Sequence, residues 1–339
     1  MKMLLFNKRG WWCLLFPLPL GVMGQPGHFK HEIEKFIRHE TQIDFTKVPT
    51  IVTIAHSKSF GSIDTIGQGL RQGPNDPAQW ELGSLTKPIA AFLAEQVLDS
   101  MGIGVDTKVC TVLPDTLCHD HWAQITFRQL LEHRAGLPLI TPQMGLKERD
   151  VHDPYQDYDL HAMIGDIQQI DPVPNQYSYS HFGYAVLYWL FEKVGGFDQA
   201  MYTFCDKIFE RKFPTEVEDQ LLIQGHGLDG RMASPWHTNA LEPALGLRTE
   251  PIHYARFILS CMPAIREEYP VLSPALRKDL AKQDQSRTYK IAHGWFVFRS
   301  GKSVVFYQNG HTGGFFVSAA FIPAEDIFVV VFSNGASGT

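Results

Sequence analysis

The sequence predicts a mixed α/β fold: one antiparallel sheet assembled from both ends of the chain, flanked by helices, with a helical region inserted between. Three observations predict it. The C-terminal part is a series of short apolar runs separated by tight-turn dipeptides, the pattern of consecutive antiparallel strands. A stretch near residue 50 alternates and is rich in β-branched residues, so a strand stands near the other end as well. Between the two, apolar residues recur at helical spacing.

The elements follow in order. His31 to Ile43 carries Ile33, Phe36 and Ile37 at the spacing of a surface helix. Val48 to His56 reads as a strand, and Ser62 to Ile66 as a second, with Gly-rich turns around it. Pro88 to Met101 is strongly helical, with Ile89, Phe92, Leu93, Val97 and Leu98 on one stripe. Ile125 to Glu132, Tyr184 to Val194 and Pro251 to Cys261 are further amphipathic helices. Leu137 to Gln143 and Asp171 to Gln176 are Pro- and Gly-rich connections. Strands are expected at Tyr289 to Arg299, Ser303 to Gln308, Gly314 to Phe321 and Ile327 to Ser333. Their expected turns are Ser300-Gly301, Asn309-Gly310 and Pro323-Ala324.

Composition sets the outer bounds. A chain of 339 residues, 44% hydrophobic and 19% charged, has the balance of one large globular domain. A formal net charge of -6 without Lys/Arg clusters leaves no electrostatic footprint for nucleic acid. The N-terminus departs from this balance. Lys2, Lys8 and Arg9 precede an apolar run from Trp11 to Val22, which is followed by a polar start at Gln25. This is the signal-peptide pattern, so residues 1–24 are expected to be a leader and the mature protein periplasmic or secreted. Any membrane association would run through that segment if it stayed uncleaved. Four cysteines remain: Cys110, Cys118, Cys205 and Cys261. They permit three pairings in an oxidising compartment or four free thiols, and both readings stay open.

Chemistry enters at Ser84-Leu85-Thr86-Lys87, directly before Pro88 and the helical stripe. Residues three apart on a helix share a face, so the Lys87 amine can reach the Ser84 hydroxyl. Proline fits only a helix's first turn, which puts Ser84 at or near the helix start. There, unpaired N–H groups and the positive end of the dipole can stabilise an oxyanion. Lysine serves as a base only when burial or nearby positive charge lowers its pKa. Alone, the S-x-x-K pattern is weak, since a chain of this composition offers about one match by chance.

Two later motifs change the weight of the first. Tyr177-Ser178-Tyr179-Ser180-His181 stands just before the Tyr184 helix, and Gly310-His311-Thr312-Gly313-Gly314 stands at the entrance of a C-terminal strand. In their order and wide spacing these three motifs resemble the serine β-lactamase and DD-peptidase superfamily, in its class C-like branch. The connecting text agrees: Trp80-Glu81-Leu82-Gly83, Ile125 to Leu137, Leu245 to Phe257, and Gly294-Trp295. The resemblance implies a β-lactamase/DD-transpeptidase-like sandwich over residues 25–339, an acyl-serine mechanism and no cofactor or metal.

Position by position, the resemblance implies that Ser84 is the nucleophile, Lys87 takes or shares its proton, and Tyr179 returns a proton to the leaving group. It implies that Thr312 contacts the substrate carboxylate or carbonyl. The N–H groups of Ser84 and Gly314 would form the oxyanion hole. Two departures steer specificity. His181 replaces the usual Asn, which bridges lysine and substrate amide; a neutral imidazole can donate and accept but is bulkier and titrates. His311 replaces the lysine of true β-lactamases, and histidine holds a carboxylate less firmly at neutral pH. Both point towards D-Ala-D-Ala-type peptides, D-amino-acid amides or small esters, with the substrate possibly of peptidoglycan origin, ahead of β-lactams. A catalytically silent binding protein of the same fold is the reading from a different class.

Family members usually carry a helix after the last strand, where this sequence reaches Thr339 shortly after Asn334. Cover of that sheet face by a partner, cover by the N-terminal helix, and a truncated version all remain open. Cys118-His119-Asp120-His121 is read as a polar loop, its four side chains being too close together to wrap one metal ion. His133 is read as structural. The sequence has no Walker loop, no G-x-G-x-x-G, no H-E-x-x-H and no G-x-S-x-G.

Overall fold

The structure is a computed structural model and describes residues 50–57, 64–67, 77–145, 152–209, 221–268, 290–300 and 303–335. The expected leader (1–24) and the helix at His31 to Ile43 lie outside the described residues.

Nine strands and seven α-helices are present among the described residues. The strands are β1 (Ile51–Ser57), β2 (Asp64–Gly67), β3 (Trp80–Glu81), β4 (Arg248–Thr249), β5 (Lys290–Ala292), β6 (Trp295–Ser300), β7 (Ser303–His311), β8 (Phe316–Ile322) and β9 (Ile327–Ser333). The helices are α1 (Thr86–Ser100), α2 (Phe127–Leu131), α3 (Leu160–Gln169), α4 (His181–Ala185), α5 (Tyr188–Phe191), α6 (Phe197–Phe209) and α7 (Pro251–Glu268).

The main sheet has the order β2-β1-β9-β8-β7-β6-β5, every pair antiparallel. The two ends of the chain therefore meet in its middle, with Thr53 opposite Val331 and Ile54 opposite Val330. Strand alternation divides the residues cleanly. Val52, Ile54, Val317, Phe328, Val330 and Phe332 point into the core, while Ile327, Val329 and Val331 on the other face of β9 stay half-buried. Helix α7 lies on the inner face, with Tyr254 edge-on to both Trp295 and Phe332. Phe92 of α1 meets Phe257 of α7 edge to face, 5.9 Å between centroids. Trp80 closes the layer from the side against Phe315 and Phe332. Burying aromatics of this size supplies much of the apolar stabilisation of such a core.

Several expectations shift. Tyr184 to Val194 is not one helix: α4, α5 and a 3₁₀ turn at Glu192–Val194 follow one another, because Leu187 and Leu190 bond only three residues back. Gly195, at φ 96°, then ends the run. The strand expected at Tyr289 to Arg299 is, over its described residues, a hairpin, β5 and β6 turning at His293-Gly294. Asn309-Gly310 is no turn but the end of β7, and the chain reverses instead at Gly313-Gly314, where the Thr312 N–H bonds the Phe315 carbonyl. Helices α3 and α6 and the β3–β4 ribbon were not read from the sequence. Cys110 and Cys118 form a disulfide, while Cys205 is a buried and Cys261 a half-buried free thiol.

Candidate active site

The site begins with a short 3₁₀ turn, Gly83–Leu85, that feeds α1. Every residue from Glu81 to Ala91 is buried except Ser84. The run is fixed against β7 by two glycines. Gly83 has φ 50°, and a Cβ there would lie 2.7 Å from the His311 backbone nitrogen. A Cβ on Gly310 would fall 1.7 Å from the Leu82 carbonyl oxygen. The Asn-Gly pair therefore marks a close approach of two backbones, not a hairpin.

Lys87 is fully buried on the first turn of α1. Its Nζ donates to Ser84 Oγ at 3.1 Å and to the Ala244 carbonyl at 2.9 Å. That carbonyl is offered by a π-helical turn, Glu242–Gly246. No carboxylate is among these partners. Burial alone pushes the amine well below its usual pKa, as a base requires.

Tyr179 approaches from the opposite wall. Its hydroxyl is in hydrogen-bonding contact with Ser84 and Gln308, and the Lys87 Nζ stands 5.2 Å from its ring centroid. Phe296 stacks on the ring at 5.6 Å and His133 lies 4.2 Å away. Burial raises the phenol's pKa, more than its contacts with Ser84 and Gln308 lower it. Burial thus favours the uncharged form of both groups, the free amine and the protonated phenol.

His181 opens α4, with Ser180 capping that helix through its hydroxyl on the Gly183 N–H. Burial, then the nearby Lys87 charge and His133, hold His181 well below its usual pKa. Its Nδ1 is buried and lacks a hydrogen-bond partner. His133, at φ 55°, accepts the Ser180 N–H on Nδ1 at 3.1 Å, which leaves its proton on Nε2. It thereby ties the loop after α2 to the Tyr179 segment.

The third motif is placed differently from the first two. His311 ends β7 exposed, with its backbone against Gly83. Thr312 is 1% exposed, its hydroxyl beside the Glu81 carboxyl. Burial raises the Glu81 pKa, and Thr312, the Trp236 N–H and Arg248 hold it back only in part. Gly314 is buried against Gly225 and Ala233, and its carbonyl accepts the His226 N–H. Lys87 and Tyr179 thus converge on the Ser84 hydroxyl, and the His181 ring lies edge-on to Tyr179 at 5.9 Å. The Thr312 side chain instead turns towards a buried Glu81–Arg248 pair.

Gln308, the Ala244 carbonyl, Glu81 and Trp236 were missed as site residues. Period-two alternation back from Gly310 would have found Gln308; nothing local marks the others. Cys118 is spent in its disulfide and His119 bonds the Ile167 carbonyl, so that stretch is structural. Among the described residues, no group of three or more His, Cys, Asp and Glu is placed to hold a metal ion.

A family model described as Beta-lactamase matches residues 71–339. The chain belongs to the beta-lactamase family. Its fold is that of the family's serine hydrolases. A class C beta lactamase from Rhodobacter sphaeroides superposes with a TM-score of 0.66 at 18% identity, covering 90% of this chain and 93% of that one. A class C beta-lactamase in complex with cefoxitin gives 0.69 at 17% identity, over 91% and 94%. A further class C beta lactamase gives 0.69 at 17%, over 91% and 93%. No curated protein matches the chain at a significant level.

Proposed function

We propose that the protein is an exported acyl-serine hydrolase that cleaves small esters, D-amino-acid amides or D-Ala-D-Ala-type peptides through a Ser84 acyl-enzyme. One observation carries the reading: in a run of eleven residues from Glu81 to Ala91, only the Ser84 side is open, and a buried amine and a phenol both meet its hydroxyl.

Neutral Lys87 takes the Ser84 proton as Oγ attacks the substrate carbonyl. The Ser84 and Gly314 N–H groups receive the oxyanion. As the tetrahedral intermediate collapses, Tyr179 gives its proton to the departing alkoxide or amine, and Lys87 returns a proton to the phenol through the Ser84 site. Water then enters along the path the leaving group vacated and repeats the sequence in reverse. No cofactor is needed for acyl transfer of this kind. His181, kept neutral, presents an imidazole where an amide side chain would pair with a substrate amide, which favours ester over amide carbonyls. The basic, apolar and polar order of residues 1–30 supports export to the periplasm or beyond. No helix among the described residues is long and apolar enough to cross a membrane.

The test is labelling with a fluorophosphonate and turnover of p-nitrophenyl acetate, a D-Ala-D-Ala peptide and a chromogenic cephalosporin. Wild type should label and turn over the ester, and Ser84→Ala should do neither. A folded wild type that neither labels nor turns over any of the three would be the silent binder. Fastest turnover of the cephalosporin would make it a β-lactamase.

A further inference from the structure

Nine large apolar side chains stand exposed among the described residues, and six of them, Leu139, Ile140, Val173, Tyr177, Leu228 and Met232, sit on segments bonded to the backbone of the second or third motif. They form two rims. Leu139 and Ile140, 45% and 47% exposed, sit on a loop bolted to the second motif. The Ser178 hydroxyl donates to the Leu137 carbonyl at 2.6 Å, the Ser180 hydroxyl to Pro138 at 2.7 Å, and the His181 N–H to Leu139 at 3.3 Å. Val173 packs against Gly136 of the same loop, and Tyr177 lies near enough to Tyr179 to influence its hydroxyl.

The second rim is the turn from His226 to Met232. Its base is closed by the Gly227 N–H on the Arg231 carbonyl at 2.8 Å. It is held to the third motif by the His226 N–H on Gly314, and by Ala233 and Gly225 packed on Gly314 itself. Leu228 and Met232 project from it, 68% and 72% exposed. Its two charges, Asp229 and Arg231, pair with each other at 3.5 Å. Neither rim offers a cation aimed at a carboxylate, and both are anchored to the backbone that carries the reacting groups. Scattered exposed apolar residues are ordinary, but these are carried by loops hydrogen-bonded to the two motifs that flank the nucleophile, a placement suited to a ligand surface.

On the reading of Ser84 as the acylated residue, we propose that these rims grip an apolar chain, so that the substrate is an ester with a lipophilic acyl group of several carbons. A methylene that enters an apolar pocket changes kcat/KM by roughly tenfold or more when fully enclosed, and by less on a half-open rim. From p-nitrophenyl acetate to the octanoate, below its micelle-forming concentration, kcat/KM should rise by about tenfold or more.

Leu139→Ser/Ile140→Ser and Leu228→Ser/Met232→Ser are the paired variants. At least one should lower octanoate turnover by about tenfold while acetate turnover, which reports an intact Ser84 site, stays within about twofold of wild type. A flat chain-length series, with acetate hydrolysis still lost in Ser84→Ala, overturns this inference and leaves the acyl-serine reading intact. A rise that survives both paired variants overturns the assignment to these rims. Absence of Ser84-dependent hydrolysis of every ester fails the underlying reading instead. Phosphatidylcholine vesicle binding that the variants abolish, with the ester series unchanged, would assign the apolar rims to a lipid surface and overturn the proposal.

Discussion

At the scale of single residues, the site works through opposite responses to burial. Taking Lys87 out of water disfavours its ammonium, and taking Tyr179 out of water disfavours its phenolate, so burial favours in each group the form its role needs. Lys87→Ala removes the amine that bonds Ser84 Oγ, and kcat/KM for p-nitrophenyl acetate should fall by roughly 10²–10⁴-fold. Unchanged far-ultraviolet circular dichroism would show that the chain still folds, and near-normal turnover in that variant would remove the amine from the mechanism. The pH profile follows from the sign of the shift. A base is active when deprotonated, and Lys87 is pushed well below the usual lysine value, so the rate should rise with pH and level off well before pH 10. A profile that climbs only around the ordinary lysine pKa, or one that follows phenol ionisation, would contradict the assignment.

At the scale of elements, what the sequence made legible was local chemistry on regular structure. The Ser84 to Lys87 spacing on a helix start, the Tyr179 motif before a helix and the strand ladder at the C-terminus are each set by a few adjacent residues. What escaped depends on partners far along the chain. Ala244, which shares the Lys87 amine, is 157 residues away, on a π-helical turn that no periodicity announces. Asn309-Gly310 misled because the dipeptide favours a hairpin turn, while here the glycine serves the Leu82 carbonyl beside it. The misreading hid Gln308, which faces the same way as Gly310 and reaches Tyr179. Gly310→Ala tests the close approach. A methyl group cannot occupy a position 1.7 Å from a carbonyl oxygen, so β7 and the Gly83–Leu85 turn must separate. The variant should lose about 1–3 kcal/mol of stability and most of its activity, measured by urea unfolding and ester turnover. Full activity with unchanged stability would show that the two backbones do not meet in this way.

At the scale of the whole molecule, the sheet joins residue 51 to residue 333, and all three reacting groups lie in the helical region between, seated on β7 through Gly83, Gly310 and Gln308, so the site depends on the sheet that pairs both ends of the chain. Global stability is therefore a condition of activity, and one buried acid should make it depend on pH. Glu242 belongs to the turn that supports Lys87, and burial, with the neighbouring Asp198 charge, raises its pKa to about 7. The folded state holds this proton more tightly than the unfolded chain, where a glutamate carboxyl titrates near 4.5. Below that pH both states are protonated and the contribution is constant. Between it and about 7 only the unfolded chain has lost the proton, so stability falls as pH rises; above about 7 the loss is complete. At 1.36 kcal/mol per unit the full penalty is at most about 3.5 kcal/mol. Glu242→Gln removes the ionisation while keeping the size, so it should raise Tm by several degrees at pH 8 and leave it nearly unchanged at pH 4.5. Scanning fluorimetry of both proteins across that range measures the difference directly. Equal shifts at both pH values would show that Glu242 ionises freely in the folded protein, and that the turn beneath Lys87 is open to water.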